Sequence, residues 1–263
     1  AKTRGLNRYI ITVPMLNLKL SSYWLHLVTS SNFSLAKYLV MSLKYDLICR
    51  DHSIKKIIPK KCYTYQEAID LAFSKIEQNA VLSSWKDAWK NPKLKPNLQE
   101  YIQVPKFGCF IDHQTQEIKH PENVVKSIFK IGGKTGWYSS DHLWIFRGWL
   151  DKLVGGVGLR RGRRHPTEIE VGESLDLWRV MVADKKEKRL LLFAEMKLPG
   201  EAWLEFKIIK ENNKYLLNQT ATFRPKGIFG RLYWYISFPF HLFVFKGMIS
   251  NLIKDSMKPS KVK

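Results

Sequence analysis

From residue 168 onward apolar positions recur every second residue, in runs near 168–183, 189–197, 202–210 and 214–223. The segments ADKKEK, LPGE and KENNK separate them, and this combination predicts an antiparallel meander joined by hairpins. On the third run Leu204, Phe206 and Ile208 share one face while Trp203, Glu205 and Lys207 share the other, as in a sheet covered on one side. Elsewhere the period is helical. Ser34 precedes Leu35, Leu39, Val40 and Leu43, which predicts a helix over 34–45. Thr64 and Glu67 form a capping box ahead of Ala68, Ile69, Ala72, Phe73 and Ile76. Pro121 suits a first helical position, and Val124, Val125, Ile128 and Phe129 follow up to a stop at Gly132 and Gly133. The next helix, from 140 or 141 to 153, carries Leu143, Trp144, Ile145, Phe146, Trp149, Leu150 and Leu153, enough apolar residues to expect packing on two sides. A long helix from 228 to about 254 closes the chain, and 101–111, interrupted by Pro105, is expected to be the first strand.

Strand, two helices, curved antiparallel sheet and terminal helix make an α+β helix-grip order. The stretch SWKDAWKNPKLKPNL (84–98), with two prolines and no sustained period, reads as a linker between residues 1–83 and a domain over 99–257, leaving 258–263 as a disordered tail.

Length and composition allow one large or two ordinary domains: 263 residues with 45% hydrophobic content. The net charge of +21 raises a nucleic-acid or anionic-membrane partner, but it is shared between residues 1–96 (+10) and the remainder (+11) and is mostly lysine. Aromatic residues sit in apolar runs and do not alternate with basic ones, so specific nucleic-acid binding is not expected. Cys49, Cys62 and Cys109 have no metal-ligand or disulfide spacing, the histidines at 26, 52, 113, 120, 142, 165 and 241 form no ligand grouping, and no signal peptide is evident. A reducing, cytoplasmic setting without a metal follows as the expectation. The longest apolar stretch, 232–245, is shorter than the roughly 20 residues of a span and contains Pro239 and His241. It reads as a buried or cavity-lining helix, with interfacial contact to an anionic membrane as the alternative.

Candidate chemistry is sparse. Gly155, Gly156 and Gly158 are the nearest approach to a dinucleotide fingerprint, but they follow a helix and precede none, so they read as a stop and turn. Arg160, Arg161, Arg163 and Arg164 either clamp a phosphate or carboxylate bidentately or form a solvated loop compensated by Glu168, Glu170 and Glu173. Glu195 and Glu205 on neighbouring strands invite an acid–base reading; cross-strand pairing with Lys197 and Lys207 on an open face is the plainer account. His241 is either a ligand contact or a hydrogen-bonded core histidine. The dense aromatic residues, among them Trp137, Tyr138, Trp178 and Tyr233, pack the core or line a pocket.

Several ordered motifs carry a family likeness: IGGKTGWYSSDHLWIFRGWLDKLVGGVGLRRGRRHP (131–166), VGESLDLWRV (171–180), AEMKLPGEAWLEF (194–206), TATFRPKGIFGRLYWY (220–235) and PFHLFVFKGM (239–248). Over roughly 98–256 the chain resembles the bacterial domain-of-unknown-function 2867 family. The resemblance implies a START/Bet v 1-like (SRPBCC-like) helix-grip domain, usually appended to a short-chain-dehydrogenase-like domain. Residues 10–51 and 54–73 are similar to the C-terminal substrate lobe of atypical short-chain dehydrogenases of the NmrA and complex-I-subunit kind, which implies that 1–83 is a small α/β fragment of a Rossmann-type protein. The nucleotide-binding half of such proteins is absent, as is an initiator Met, so the expectation is a fragment or processed chain, with no cofactor of its own and NAD(P) only through a missing N-terminal domain. No Tyr-x-x-x-Lys pair is present to carry a dehydrogenase role.

The function expected from all this is a module that binds a hydrophobic or amphipathic small molecule. Trp137, Tyr138, Trp178, Tyr233 and His241 would contact the ligand, and Arg160, Arg161, Arg163 and Arg164 its acidic head. The alternatives are a fragment of an NAD(P)-dependent oxidoreductase and a peripheral-membrane structural subunit. Residues 34–76 lack the parallel sheet they would pack on, and are expected to be weakly anchored unless they dock on the second domain or on another chain.

Overall fold

In the computed structural model the described residues are 21–22, 25, 33–46, 48, 50–51, 53–59, 62–77, 99–159, 163, 165 and 167–258. The chain divides into two units, Ala1–Leu82 and Ser83–Lys263. The linker read at 84–98 and the end of the tail lie outside the described residues.

In the first unit three helices are described in full, α1 (Phe33–Ser42), α2 (Ile54–Ile57) and α3 (Tyr65–Glu77). The capping box forms: the Thr64 amide donates to Glu67 Oε2 (2.7 Å) and the Glu67 amide to Thr64 Oγ1 (3.3 Å). These bonds stabilise the ionised carboxylate and hold the Glu67 carboxyl below its usual range. Val40 is buried on α1, but Leu39 and Leu43 of the expected apolar face are exposed, as are Ile54 and Ile57 of α2. Among the described residues of 1–83 there is no strand, so the expected α/β fragment is not seen there, and the other residues of that segment lie outside the described ones.

The second unit opens with a single turn, α4 (Gln99–Ile102), and continues through β1 (Phe110–Ile118), α5 (Pro121–Ile128), α6 (Asp141–Leu153), β2 (Ser174–Leu175), β3 (Trp178–Asp184), β4 (Arg189–Ala194), β5 (Gly200–Glu211), β6 (Lys214–Pro225) and α7 (Gly227–Ser256). All strand pairs are antiparallel, in the order β1-β6-β5-β4-β3-β2. The meander is the predicted one, closed between β5 and β6 by Asn212 and Asn213, both at positive φ, as a two-residue hairpin turn requires. The last strand returns beside the first, so sheet, paired helices and terminal helix give the helix-grip arrangement.

Three expectations are corrected. Residues 101–109 are not strand: Pro105 removes a ladder donor, Gly108 turns the chain at φ +69°, and pairing begins only at Phe110 opposite Phe223. Tyr101 instead packs on the back of the sheet with Met181, Leu191, Phe193 and Trp203, and the Trp203 indole donates to its carbonyl (3.0 Å). The back face is therefore covered there. Residues 168–173 are irregular, and Gly172 and Asp176, both at positive φ, break the run before β3.

On the concave face Leu190, Leu192, Leu204, Phe206 and Leu217 meet Val124 and Ile128 of α5 and Met248, Ile249 and Leu252 of α7, all essentially without exposure. That half of the concavity is filled by these side chains. Toward its N-terminus α7 changes character: Phe229, Leu232, Tyr235 and Ile236 are exposed, and just past Pro239 so are Phe240, Leu242 and Phe243. Likewise α6 packs by one side only, through Trp144, Gly148 and Asp151, and leaves Ile145, Phe146, Trp149, Leu150 and Leu153 exposed. One helix face reaches the body, and no other described element of this unit covers the second.

Candidate functional site

Small side chains on two adjacent strands create a hollow. Along the concave face, where neighbours are Leu204 and Phe206, the positions 202 on β5 and 221 on β6 are alanine, paired in the ladder with Phe223 and Leu204 respectively. Over this gap α7 begins. Its entry is pinned by the Lys226 amide donating to the Pro199 carbonyl (2.9 Å), and Gly230 lets the helix approach: a Cβ there would collide with that same carbonyl oxygen and with Pro225. Trp234 then stacks in near-parallel planes on Phe110 (5.2 Å) and Phe223 (5.9 Å). These wide rings prop the helix above the alanines.

Between sheet, α6 and the first half of α7 lies a cavity of ≈ 320 Å³. Leu143, Trp144, Phe146 and Leu150 form its α6 wall, Trp178 and Phe223 of the sheet with Met196 and Leu198 of the β4–β5 connection form a second, and Tyr233, Trp234, Ile236, Phe240, Val244 and Phe245 form its α7 wall. Behind the surface Trp144 belongs to an aromatic cluster with Trp137 (5.0 Å), Trp178 (6.3 Å) and Phe245 (6.5 Å). The wall is almost wholly apolar.

Its polar members are few. Arg147 lies among the lining residues and is part-exposed, donating through Nη2 to the Lys197 carbonyl (3.2 Å), with Asp151 at 3.8 Å. His241 sits edge-on between Trp234 (5.0 Å) and Phe245 (4.9 Å), and its Nδ1 has no hydrogen-bond partner. Burial lowers its pKa, only partly opposed by the Asp112 carboxylate, so the ring is neutral at neutral pH. Asp112 is itself buried, with Oδ1 accepting from Gln114 (2.8 Å) and Oδ2 without a partner.

Of the residues expected to contact a ligand, Trp178, Tyr233 and His241 line the cavity, whereas Trp137 and Tyr138 do not. Trp137 is fully buried and its indole donates to Asp176 Oδ2 (2.9 Å). The Tyr138 hydroxyl donates to the Ser127 carbonyl (2.9 Å) and lies 3.3 Å from Asp255, tying the loop before α6 to the end of α7. Burial pushes its phenol well above the ordinary range. Both serve the scaffold.

Arg163 also turns inward. Its guanidinium donates to the carbonyls of Phe129 (2.7 Å), Glu168 (2.9 Å) and Ile131 (3.1 Å), and desolvation lowers its pKa to about 10. It satisfies carbonyls at the end of α5, which leaves it unsuited to an external anion; Arg160, Arg161 and Arg164 lie outside the described residues. Glu195 is not on an open face beside Lys197: it is fully buried and accepts from Arg179 Nε (3.0 Å) and Nη2 (2.6 Å), while Glu205 accepts from Arg189 Nε (2.6 Å). The glycine turn at 155–158 does not fit a pyrophosphate, because Asp151 already takes the Gly156 amide through its carbonyl (2.7 Å) and the Gly158 amide through its carboxylate (2.9 Å).

The sequence offered Trp144 and Trp234 within the dense aromatic set without singling them out as ligand contacts, and gave no place to Ala202 and Ala221 as wall residues. The signal that existed was the pair of alanines at inward positions of otherwise bulky strands.

A family model described as "Protein of unknown function (DUF2867)" matches residues 109–248. Among solved structures the chain is similar to truncated norcoclaurine synthase from Thalictrum flavum, with 8% identity, 60% of this chain and 100% of that one covered, and a TM-score of 0.35. It is also similar to Ara h 8.0201 (12% identity, 57% and 99% covered, TM-score 0.32) and to TTHA0849 from Thermus thermophilus (11%, 57% and 97%, 0.31). No curated protein matches the chain.

Proposed function

The chain belongs to the DUF2867 family, and from that premise we propose that its second unit is a binding module for a hydrophobic or amphipathic small molecule held beneath the first half of α7. The carrying observation is the ≈ 320 Å³ apolar cavity itself, which falls within the roughly 300–1,000 Å³ of ordinary small-molecule sites. Because the wall offers almost no polar surface, the enclosed part of the ligand is hydrocarbon or aromatic. Arg147 is the lining residue that bears a permanent charge, so a polar or acidic head group stands beside it. The titratable lining residues are Arg147, Tyr233 and His241, none hydrogen-bonded to another, which favours binding over turnover. For residues 1–83 the reading as a reductase substrate-lobe fragment rests on sequence likeness.

Titration with an apolar fluorescent dye tests the module. Ala202→Trp places an indole in the hollow and is expected to weaken dye binding at least ~10-fold, equivalent to about 1.4 kcal/mol, while far-ultraviolet dichroism stays unchanged. Equal affinity of the two proteins would contradict the proposal.

A further inference from the structure

The mouth of the cavity is ringed by exposed apolar side chains. Phe146, Leu150, Ile236 and Phe240 line the cavity and are also exposed. Around them the patch continues outside the cavity through Trp149 (50% exposed) on α6 and Phe229 (80%) and Phe243 (68%) on α7. Apolar surface of this extent on a folded domain marks an interaction site.

Charge selects the partner. Between Glu211 and Asp255 there is no acidic residue, while Lys214, Arg224, Lys226, Arg231, Lys246 and Lys254 are basic. Lys226, Arg231 and Lys246 are exposed and in no ion pair among the described residues. The acids of α6 are turned away from any partner: Asp141 accepts from the Trp137 amide (2.9 Å), and Asp151 is buried. Exposed aromatic and aliphatic side chains on a helix whose own exposed charges are all basic match the headgroup region of an anionic bilayer, where the rings enter and the cations meet lipid phosphates. A second copy of this face would bring like charges together.

The geometry points to a mouth-first docking of this face on an anionic membrane, with the exposed half of α7 and the outer side of α6 lying in the interface. By length and composition α7 is apolar enough to cross a bilayer, but Val244, Phe245, Met248, Ile249, Leu252 and Ile253 are core residues, so the helix lies along the surface and does not span. The cavity then opens directly onto hydrocarbon, and an apolar ligand passes between bilayer and protein without crossing water. This route rests on the binding-module reading; the docking itself does not.

Flotation of the full chain with phosphatidylglycerol-containing vesicles tests it. Wild type is expected to float at low salt, to bind phosphatidylcholine vesicles less, and to lose about 10-fold or more in partitioning on Phe229→Ser/Phe243→Ser or on reversal of Lys226, Arg231 and Lys246 to Glu. Both phenylalanines are exposed and outside the cavity wall, so folding and dye binding are expected to be retained. The cavity-filling Ala202→Trp protein is expected to float like wild type, which separates failure of docking from failure of ligand binding. Vesicle binding indifferent to both sets of substitutions would overturn the docking, as would a dimer in sedimentation that the Phe→Ser changes dissolve.

Discussion

His241 is the residue where the site's environment can be read most directly. Burial holds its folded-state pKa below the ordinary value near 6.5, so in the folded protein the ring resists protonation that the unfolded chain accepts freely. The contribution to stability is therefore intact above that ordinary pKa and is lost as pH falls below it. Urea midpoints at pH 7 and pH 5 are expected to fall further for wild type than for His241→Gln; parallel losses would show that the ring is hydrated. At this scale alternation along β5 correctly placed Glu205 opposite Leu204. It does not tell what covers a face. Arg179 meets Glu195 with both side chains wholly buried, and the partner across the ladder was invisible because cover comes from segments distant in sequence.

Among the elements, the helices and the meander were legible because each depends on local chemistry: the Thr64–Glu67 box, Pro121 at a helix start, Asn212-Asn213 at a turn. The first strand was misplaced because Phe107 and Cys109 extend the alternation of Ile111 backward with no partner strand beside them, and Pro105 and Gly108 prevail over the pattern. The two-sided packing expected of α6 failed for a related reason: an excess of apolar residues shows that a surface seeks cover, not that another element supplies it. The start of α7 depends on an absence of side chain, since Gly230 lies against the Pro199 carbonyl and Pro225. Gly230→Ala is expected to lift this end of the helix at a cost of about 1–3 kcal/mol, read as a lower urea midpoint together with weaker dye binding. Loss of neither would mean that the helix is not seated there.

At the level of the whole molecule, the proposed binding function rests on an unequal division of one concavity. The end under the C-terminal half of α7 is filled by side chains, and the end under its N-terminal half is propped open by Trp234 above Ala202 and Ala221. The order of elements foretold a helix over a curved sheet; the stand-off between them, set by which rings interlock, was not in that order. Of the ligand contacts expected from aromatic density, Trp178, Tyr233 and His241 line the space, and Trp137 and Tyr138 brace the loop beside it. The most direct test is native mass spectrometry of the full chain purified gently from its source, beside Ala202→Trp. The binding-module account predicts a non-covalent adduct on wild type that organic extraction releases as a lipophilic molecule and that the filled variant lacks. Wild type free of adduct after exposure to a total lipid extract, or an adduct equally abundant on Ala202→Trp, would contradict it.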